Sequence, residues 1–405
     1  MIKVLIMSDN PLLDTGMAKV GREIACYLAT HNYEVTYIGW CPAQASIKFP
    51  FKLYQVAQMG YGENDFDQII ITERPDIVLT IGDPWCTSYI SDPLKCKTRS
   101  LFQWISYTAV DGLAVNGFMP SFWDDYFKNI DHVVAYVPYG KNAIESSYPF
   151  LQNQVDVISH GVCDRTFYPV SEDEKAEIKK EYAIQEGKKI FLFVGRNQPR
   201  KNIPNLLRAW KEYVKENKHS YLFLHTCFND VTGVNLDDLI QVYDLADNKS
   251  ILFFDEVAHG VTPNKLLAPD VLNKIFNIAD YYINISGEGF GLPTIEAMAC
   301  KIPCILLNHS ASSDLGAEGR SLLIEPTHYL LGKWFSERPF PSDEGVVEAL
   351  SKAYSLSLNE RKEMIDKSYK YAMASTWEKI GQQWDEYIDR IINPLSYELI
   401  LEEAI

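Results

Sequence analysis

The chain has 405 residues, too many for one ordinary hydrophobic core, so two domains are expected. Hydrophobic residues make up 47% and aromatics 13%, which excludes wholesale disorder. The formal net charge is −16, and the first 160 residues hold 11 Lys and Arg against 17 Asp and Glu, which argues against general phosphate-backbone binding and against a basic membrane-docking face.

Strands and helices alternate along the chain, the pattern of an α/β protein with parallel sheets. Met1–Asp9 is a short apolar run ending in polar residues, read as a first strand and not as a signal peptide. In the first half the patterning predicts strands near 3–7, 34–39, 76–82, 100–105, 132–137 and 155–158, and helices near 17–30, 66–73 and 139–147. Lys95, Lys97 and Arg99 form the one basic cluster there and read as a solvated loop. A charged helix over 172–182 opens a second α/β unit, with strands at 190–194 and near 220–226, 251–254, 281–285, 303–307 and 321–324. An amphipathic helix runs from Trp377 to Ile392 and stops at Asn393-Pro394. Eight cysteines, at 26, 41, 86, 96, 163, 227, 300 and 304, contain no CxxC and read as reduced thiols. No run approaches the ~18–20 apolar residues of a membrane span; a soluble, cytoplasmic chain is expected.

The most informative stretch is Ser286-Gly-Glu-Gly-Phe-Gly-Leu-Pro-Thr-Ile-Glu-Ala-Met-Ala299. It follows the apolar run Tyr281–Ile285, so it reads as strand, glycine-rich loop and helix N-terminus, with Pro293 tolerated in the first helical turn. That geometry favours an anion. Glu288 and Glu296 flank it with seven residues between them. An anion pocket beside two carboxylates suits a sugar nucleotide, the diphosphate at the helix end and hydroxyls on the carboxylates. A second loop, Gly195-Arg-Asn-Gln-Pro-Arg-Lys-Asn202, leaves the carboxyl end of the 190–194 strand, where ligands bind in open sheets. No P-loop, GxGxxG or GxSxG pattern is present.

At Gly287–Ala299 the chain resembles the retaining glycosyltransferases of family 4, whose signature is E-x7-E within EGFGLPxxEAMA. The resemblance is specific from Phe193 to about Leu307 and covers most of the chain in layout. It implies two doubly wound Rossmann-like domains facing a cleft, the GT-B fold, with the C-terminal helices crossing back to the first domain. Residues 1–160 with 376–405 would form the acceptor-side domain and 161–375 the donor domain, joined at Ser159–Pro169, which is similar to the family's hinge but has His160 where Asn is commoner. The resemblance further implies that Arg196 and Lys201 hold the donor diphosphate, that Glu288 holds sugar hydroxyls, and that Glu296 accepts from the ribose diol. Gly289, Phe290, Gly291, Leu292 and Thr294 would complete the donor site. Arg200 is expected to turn away from Lys201. Gly16, after the first strand, would let the backbone approach the donor; a plain turn is the alternative. Asp111, in Tyr107–Gly112, is the candidate sugar contact where many members have histidine; an Asx turn before Gly112 is the alternative. Asp83-Pro84-Trp85 reads as a turn and a core tryptophan.

The expected reaction is therefore retaining transfer of a hexosyl or pentosyl group from a nucleoside-diphosphate sugar, with no cofactor and no required metal. The acceptor is open: glycan, small molecule, protein, lipid or nucleic-acid base. Alternatives on the same architecture are a sugar-nucleotide epimerase, a phosphorylase, or a non-catalytic nucleotide-sugar-binding protein. His160, His259 and His309 form no metal-spaced set and default to structural roles. Base selection is expected in residues 255–263.

Overall fold

A computed structural model describes residues 1–44, 47–56, 60–246, 249–253 and 269–394. His259 and the base-selection segment 255–263 therefore lie outside the described residues. The chain divides into two compact units, one of residues 1–109, 121–161 and 375 onward, the other of 110–120 and 162–374.

The first unit is built on strands β1 (Ile2–Asp9), β2 (Tyr33–Trp40), β3 (Lys52–Gln55), β4 (Ile77–Ile81), β5 (Gln103–Thr108), β6 (His132–Ala135) and β7 (Val155–Val157). They form one sheet in the order β3-β2-β1-β4-β5-β6-β7, and every pairing is parallel. Val4, Leu5, Ile6 and Met7 of β1 are at most 1% exposed, as a central parallel strand covered on both faces requires. The helix Gly16–Thr30 starts at Thr15, whose hydroxyl accepts from the Ala18 N–H at 3.1 Å. The last helix, Trp377–Ile392, returns to this unit and packs on Gly16–Thr30. A Cβ on Gly381 would fall 2.2 Å from the Tyr27 ring, so the two helices meet closely there. Trp384 is fully buried against Tyr107, and Asp385 accepts from Tyr33 at 2.5 Å. Each such large side chain contributes roughly 1.5–3 kcal/mol through burial.

The second unit carries β8 (Lys189–Val194), β9 (Ser220–His225), β10 (Ile251–Phe253), β11 (Tyr281–Asn284), β12 (Cys304–Leu307) and β13 (Ser321–Ile324), all parallel in the order β10-β9-β8-β11-β12-β13. Its core gathers Phe191 and Phe193 of β8, Leu206, Trp210 and Tyr213 of the helix Ile203–Glu216, and Ile283 of β11. The first helix of this unit, Glu172–Glu181, is capped by Ser171, which accepts from the Glu174 N–H; three acids fill its first turn and Lys179 and Lys180 its last, matching the helix dipole. In both sheets the order reverses beside the unit's first strand: between β1 and β4, and between β8 and β11. A reversal of this kind opens a crevice at the carboxyl ends of the strands.

Three features depart from the sequence-based expectations. β3 was not anticipated, because Lys-Leu-Tyr-Gln offers no apolar run and sits at a sheet edge. The strand expected near 100–105 begins at Gln103, residues 99–101 being a short 3-10 turn. An antiparallel hairpin of β14 (His328–Leu331) and β15 (Glu337–Phe340) was also missed. Segment 110–120 joins the second unit beside that hairpin, where the Glu337 N–H donates to the Leu113 carbonyl at 2.8 Å, so a boundary drawn at 160 does not separate the units cleanly.

Candidate active site

Two loops leave the carboxyl ends of β8 and β11 at the reversal point of the second sheet. The loop after β8 is pinned at both ends. The Asn197 amide donates to the carbonyls of Phe228 (3.2 Å) and Val234 (2.7 Å), and the Asn202 amide donates to those of Ile285 (2.7 Å) and Pro339 (3.1 Å). Between these anchors, Pro199–Lys201 forms one 3-10 turn that places Arg200 and Lys201 on a common target.

That target is Glu288. Lys201 pairs with its Oε1, Arg200 donates to Oε2 at 2.9 Å, and the Ser286 hydroxyl lies 2.7 Å from Oε1. Lys201 is 9% exposed and Glu288 5%. Burial alone would push the Glu288 carboxyl upward, but Lys201, then Arg200 and the hydrogen bonds from Lys201 and Ser286, hold it down at about 2. It is therefore ionised at any working pH. Ser310 fixes the backbone of the same residue: its hydroxyl accepts from the Glu288 N–H at 3.0 Å and donates to the Glu288 carbonyl at 2.9 Å.

Gly291 precedes the helix Leu292–Ala299 with φ +96°, a conformation that L side chains rarely adopt, and Pro293 lies in the first turn. Glu296 and Thr294 of this helix are buried, as is Phe290, while Gly289, Gly291 and Leu292 are half-buried. The geometry is a helix N-terminus beside a strongly held carboxylate and two cations, suited to an anion with hydroxyls attached.

The other expected residues divide. Arg196 does not join Lys201; its Nε donates to Asp230 at 2.6 Å and its Nη2 at 3.4 Å, although its side chain is 45% exposed. Asp230 also accepts from the Thr232 N–H (2.8 Å) and hydroxyl (2.7 Å). Arg200, expected to turn away, instead shares Glu288 with Lys201; the tight turn over 199–201 brings both side chains to one side. Asp111 lies at this site within the second unit: its carboxylate pairs with Arg338 of β15, and a Cβ on Gly287 would stand 3.2 Å from its carbonyl oxygen. The same Cβ would be 3.1 Å from His309, which burial makes less basic, with Asp111 opposing that and Arg338 adding to it. Gly16 belongs to the first unit, where it opens the helix after β1. His160 is structural: it is fully buried beside Tyr107, and the half-buried Trp85 packs on Trp123. Asp230, Arg338 and Ser310 were not anticipated, since their roles rest on contacts made across the fold.

Among the described residues, no group of three or more His, Cys, Asp or Glu is arranged to hold a metal ion, and no helix is long and apolar enough to cross a membrane.

Residues 174–371 match the family described as glycosyl transferases group 1. A probable sucrose-phosphate synthase of Thermosipho melanesiensis is 24% identical over 258 residues, 62% of this chain and 51% of that protein. A mannosylfructose-phosphate synthase of Agrobacterium fabrum is 26% identical over 203 residues, 49% of this chain and 42% of that protein. The chain thus spans about half the length of the curated relatives it matches. In three dimensions it superposes on the sucrose-phosphate synthase of Thermosynechococcus elongatus with a TM-score of 0.76 at 17% identity, covering 97% of this chain and 99% of that one. Its two Rossmann-like sheets are those of the GT-B glycosyltransferases. The strand–loop–helix motif that carries Glu288 and Glu296 falls inside residues 174–371, the segment that matches the glycosyl transferases group 1 family.

Proposed function

We propose that the chain is a retaining glycosyltransferase that moves a sugar from a nucleoside-diphosphate sugar to a hydroxyl-bearing acceptor. The observation that carries this reading is the Glu288 carboxylate, ionised and clamped by Lys201 and Arg200 in the glycine loop that leads into the helix Leu292–Ala299. In the reaction the bond from the anomeric carbon to the diphosphate oxygen breaks, and the nucleoside diphosphate leaves with the electron pair. Lys201 and Arg196 would stabilise that growing charge, with the backbone N–H groups of Phe290, Gly291 and Leu292 at the helix end. Glu288 and Asp111 would hold sugar hydroxyls and Glu296 the ribose diol. The acceptor oxygen attacks the same face, and its proton passes to the leaving phosphate oxygen, so no protein nucleophile is required.

The names of the relatives, which include sucrose-phosphate and mannosylfructose-phosphate synthases, make sugar phosphates the first acceptors to test. A cytoplasmic reaction fits eight free-thiol cysteines outside any disulfide. The test is a thermal-shift panel of nucleotide sugars, followed by assay of nucleoside diphosphate release with and without acceptor. Release that depends on acceptor supports a transferase. Turnover without acceptor points to an epimerase, and binding without turnover points to a sensor.

A further inference from the structure

Both cations that the family resemblance assigns to the diphosphate rest on carboxylates of the protein. Arg196 lies on Asp230 and Lys201 on Glu288. To reach a diphosphate, each must give up that partner wholly or in part. The two carboxylates differ in what they would keep. Asp230 retains the N–H and hydroxyl of Thr232. Asp230 and Glu288 are both 5% exposed, so each is costly without a counter-charge, and Glu288 keeps less from neutral donors. Ser286 supplies one hydroxyl, and Asn284 Oδ1 competes for its single proton at the same 2.7 Å. Arg200 supplies the charge. It meets Oε2, the oxygen Lys201 does not hold, and its side chain is 34% exposed, so it reaches Glu288 from the solvent side without full desolvation.

We infer that Arg200 is a positioning residue of the donor site: it keeps Glu288 countered and ionised when Lys201 turns to the donor diphosphate. This rests on the proposed donor reading. Two cations on one carboxylate leave one positive charge in excess, and it is this excess that a diphosphate recruits. Without Arg200, Lys201 must either stay on Glu288 or abandon a buried carboxylate, which then takes up a proton. Donor binding becomes weaker and proton-linked. The other titratable groups around this carboxylate are few. Tyr282 of β11 has its phenol raised well above the ordinary value by burial, then by Glu288, with Glu296 also contributing; Asp111 acts on Lys201. Tyr282 stays neutral; His309, beside Gly287 and made less basic by burial, is the competing proton acceptor, and proton uptake that disappears in Arg200→Ala/Glu288→Gln assigns the proton to Glu288.

The experiment is calorimetric titration with uridine, guanosine, adenosine and cytidine diphosphates at pH 6 and pH 8. The proteins are wild type, Arg200→Ala, Arg200→Gln, Arg200→Lys and the double variant Arg200→Ala/Glu288→Gln. Wild type should bind at least one nucleoside diphosphate with only the pH dependence that the second ionisation of the terminal phosphate, at about 6, imposes, and the variants are compared with it. Arg200→Ala and Arg200→Gln should bind it at least ~10-fold more weakly at pH 8, regain affinity at pH 6 and take up a proton on binding. Arg200→Lys should stay within about 3-fold of wild type, and Glu288→Gln should restore the alanine variant to a similar margin, because a neutral amide needs no counter-charge. Wild-type affinity in both uncharged variants overturns the inference, as does a loss that Glu288→Gln leaves unrelieved. Failure of wild type to bind any of the four overturns the donor reading itself, an outcome distinct from either of those.

Discussion

Arg338, on the second strand of the hairpin, closes an ion pair with Asp111, 227 residues earlier in the chain. The pair fixes a short piece of the N-terminal sequence within the second unit, against the loop that begins at Gly287. Gly112 shows how closely that piece lies on the hairpin: a Cβ there would fall 2.7 Å from both the Glu337 carbonyl and the Ser336 hydroxyl.

Disturbing this contact should therefore affect turnover more than stability. The pair is partly exposed, 20% and 32% for the two side chains, so Arg338→Ala should cost no more than about 1 kcal/mol of stability. Asp111→Asn should lower kcat strongly if Asp111 touches the donor sugar. Gly112→Ala, which forces the segment off the hairpin, should cost roughly 1–3 kcal/mol and also lower kcat. Urea unfolding and steady-state rates on the three variants check this; wild-type kcat in Asp111→Asn would remove it from the site.

Glu288 and Glu296 should fail in different ways. Loss of a ribose contact mainly weakens donor binding, whereas loss of a sugar contact that tightens in the transition state lowers kcat. Glu296→Ala is expected to raise the donor KM and Glu288→Gln to depress kcat. Two variants with wild-type kinetics would show that donor chemistry takes place elsewhere.

Arg196 tests whether a cation parked on another carboxylate is still a diphosphate ligand. Arg196 is half-exposed but the Asp230 side chain is buried, and Thr232 continues to serve that carboxylate, so Arg196→Ala should cost about 1–3 kcal/mol of stability. Its donor affinity should nonetheless drop. Unchanged binding in a calorimetric titration would assign Arg196 to the loop and not to the ligand.

Acid should destabilise the protein in a way that traces to identifiable groups. Tyr107 donates its one proton to the Ile158 carbonyl at 2.8 Å, so Nδ1 is the donor in the 2.7 Å contact to His160. Burial lowers His160 from 6.5 to about 3. The unfolded chain takes the proton first, so this contribution is complete above about 6.5 and is lost as pH falls towards 3. Glu288 adds a second loss between its ordinary 4.5 and about 2, where its ion pairs break. His225, lowered to about 4 by burial, acts in the same direction as His160. His160→Asn should therefore reduce the fall of Tm between pH 7 and pH 5 by one proton's share, leaving the Glu288 region unchanged. Parallel wild-type and variant curves would show that His160 is charged in the native state.

Transfer should survive EDTA. Lys201, Arg196 and the N-terminal end of the helix Leu292–Ala299 supply positive charge where the diphosphate would lie, so catalysis does not depend on a divalent ion for it. Complete loss of activity, reversed by Mg2+, would show that the leaving group is stabilised by a metal.

The sequence by itself determined the elements that carry the site. Unbroken apolar runs such as Ile190–Val194 and Tyr281–Ile285 can be satisfied only as buried parallel strands, and Gly291 with Pro293 marks where a loop becomes a helix. Those signals are local, so they survive in a one-dimensional reading. β3 and the hairpin left no such signal; Lys-Leu-Tyr-Gln has no apolar run, and Glu-Arg-Pro-Phe contains a proline and two charges, so only their neighbours make them strands. Side-chain partners were equally hidden. Arg200, Lys201 and Arg196 share one loop, and nothing in their order says that the first two meet Glu288, 88 and 87 residues away, while the third meets Asp230. Tertiary structure decided this, because Coulomb attraction and burial act through space: a single 3-10 turn aims two adjacent cations at one carboxylate, and the anchors at Asn197 and Asn202 hold the turn where that carboxylate lies.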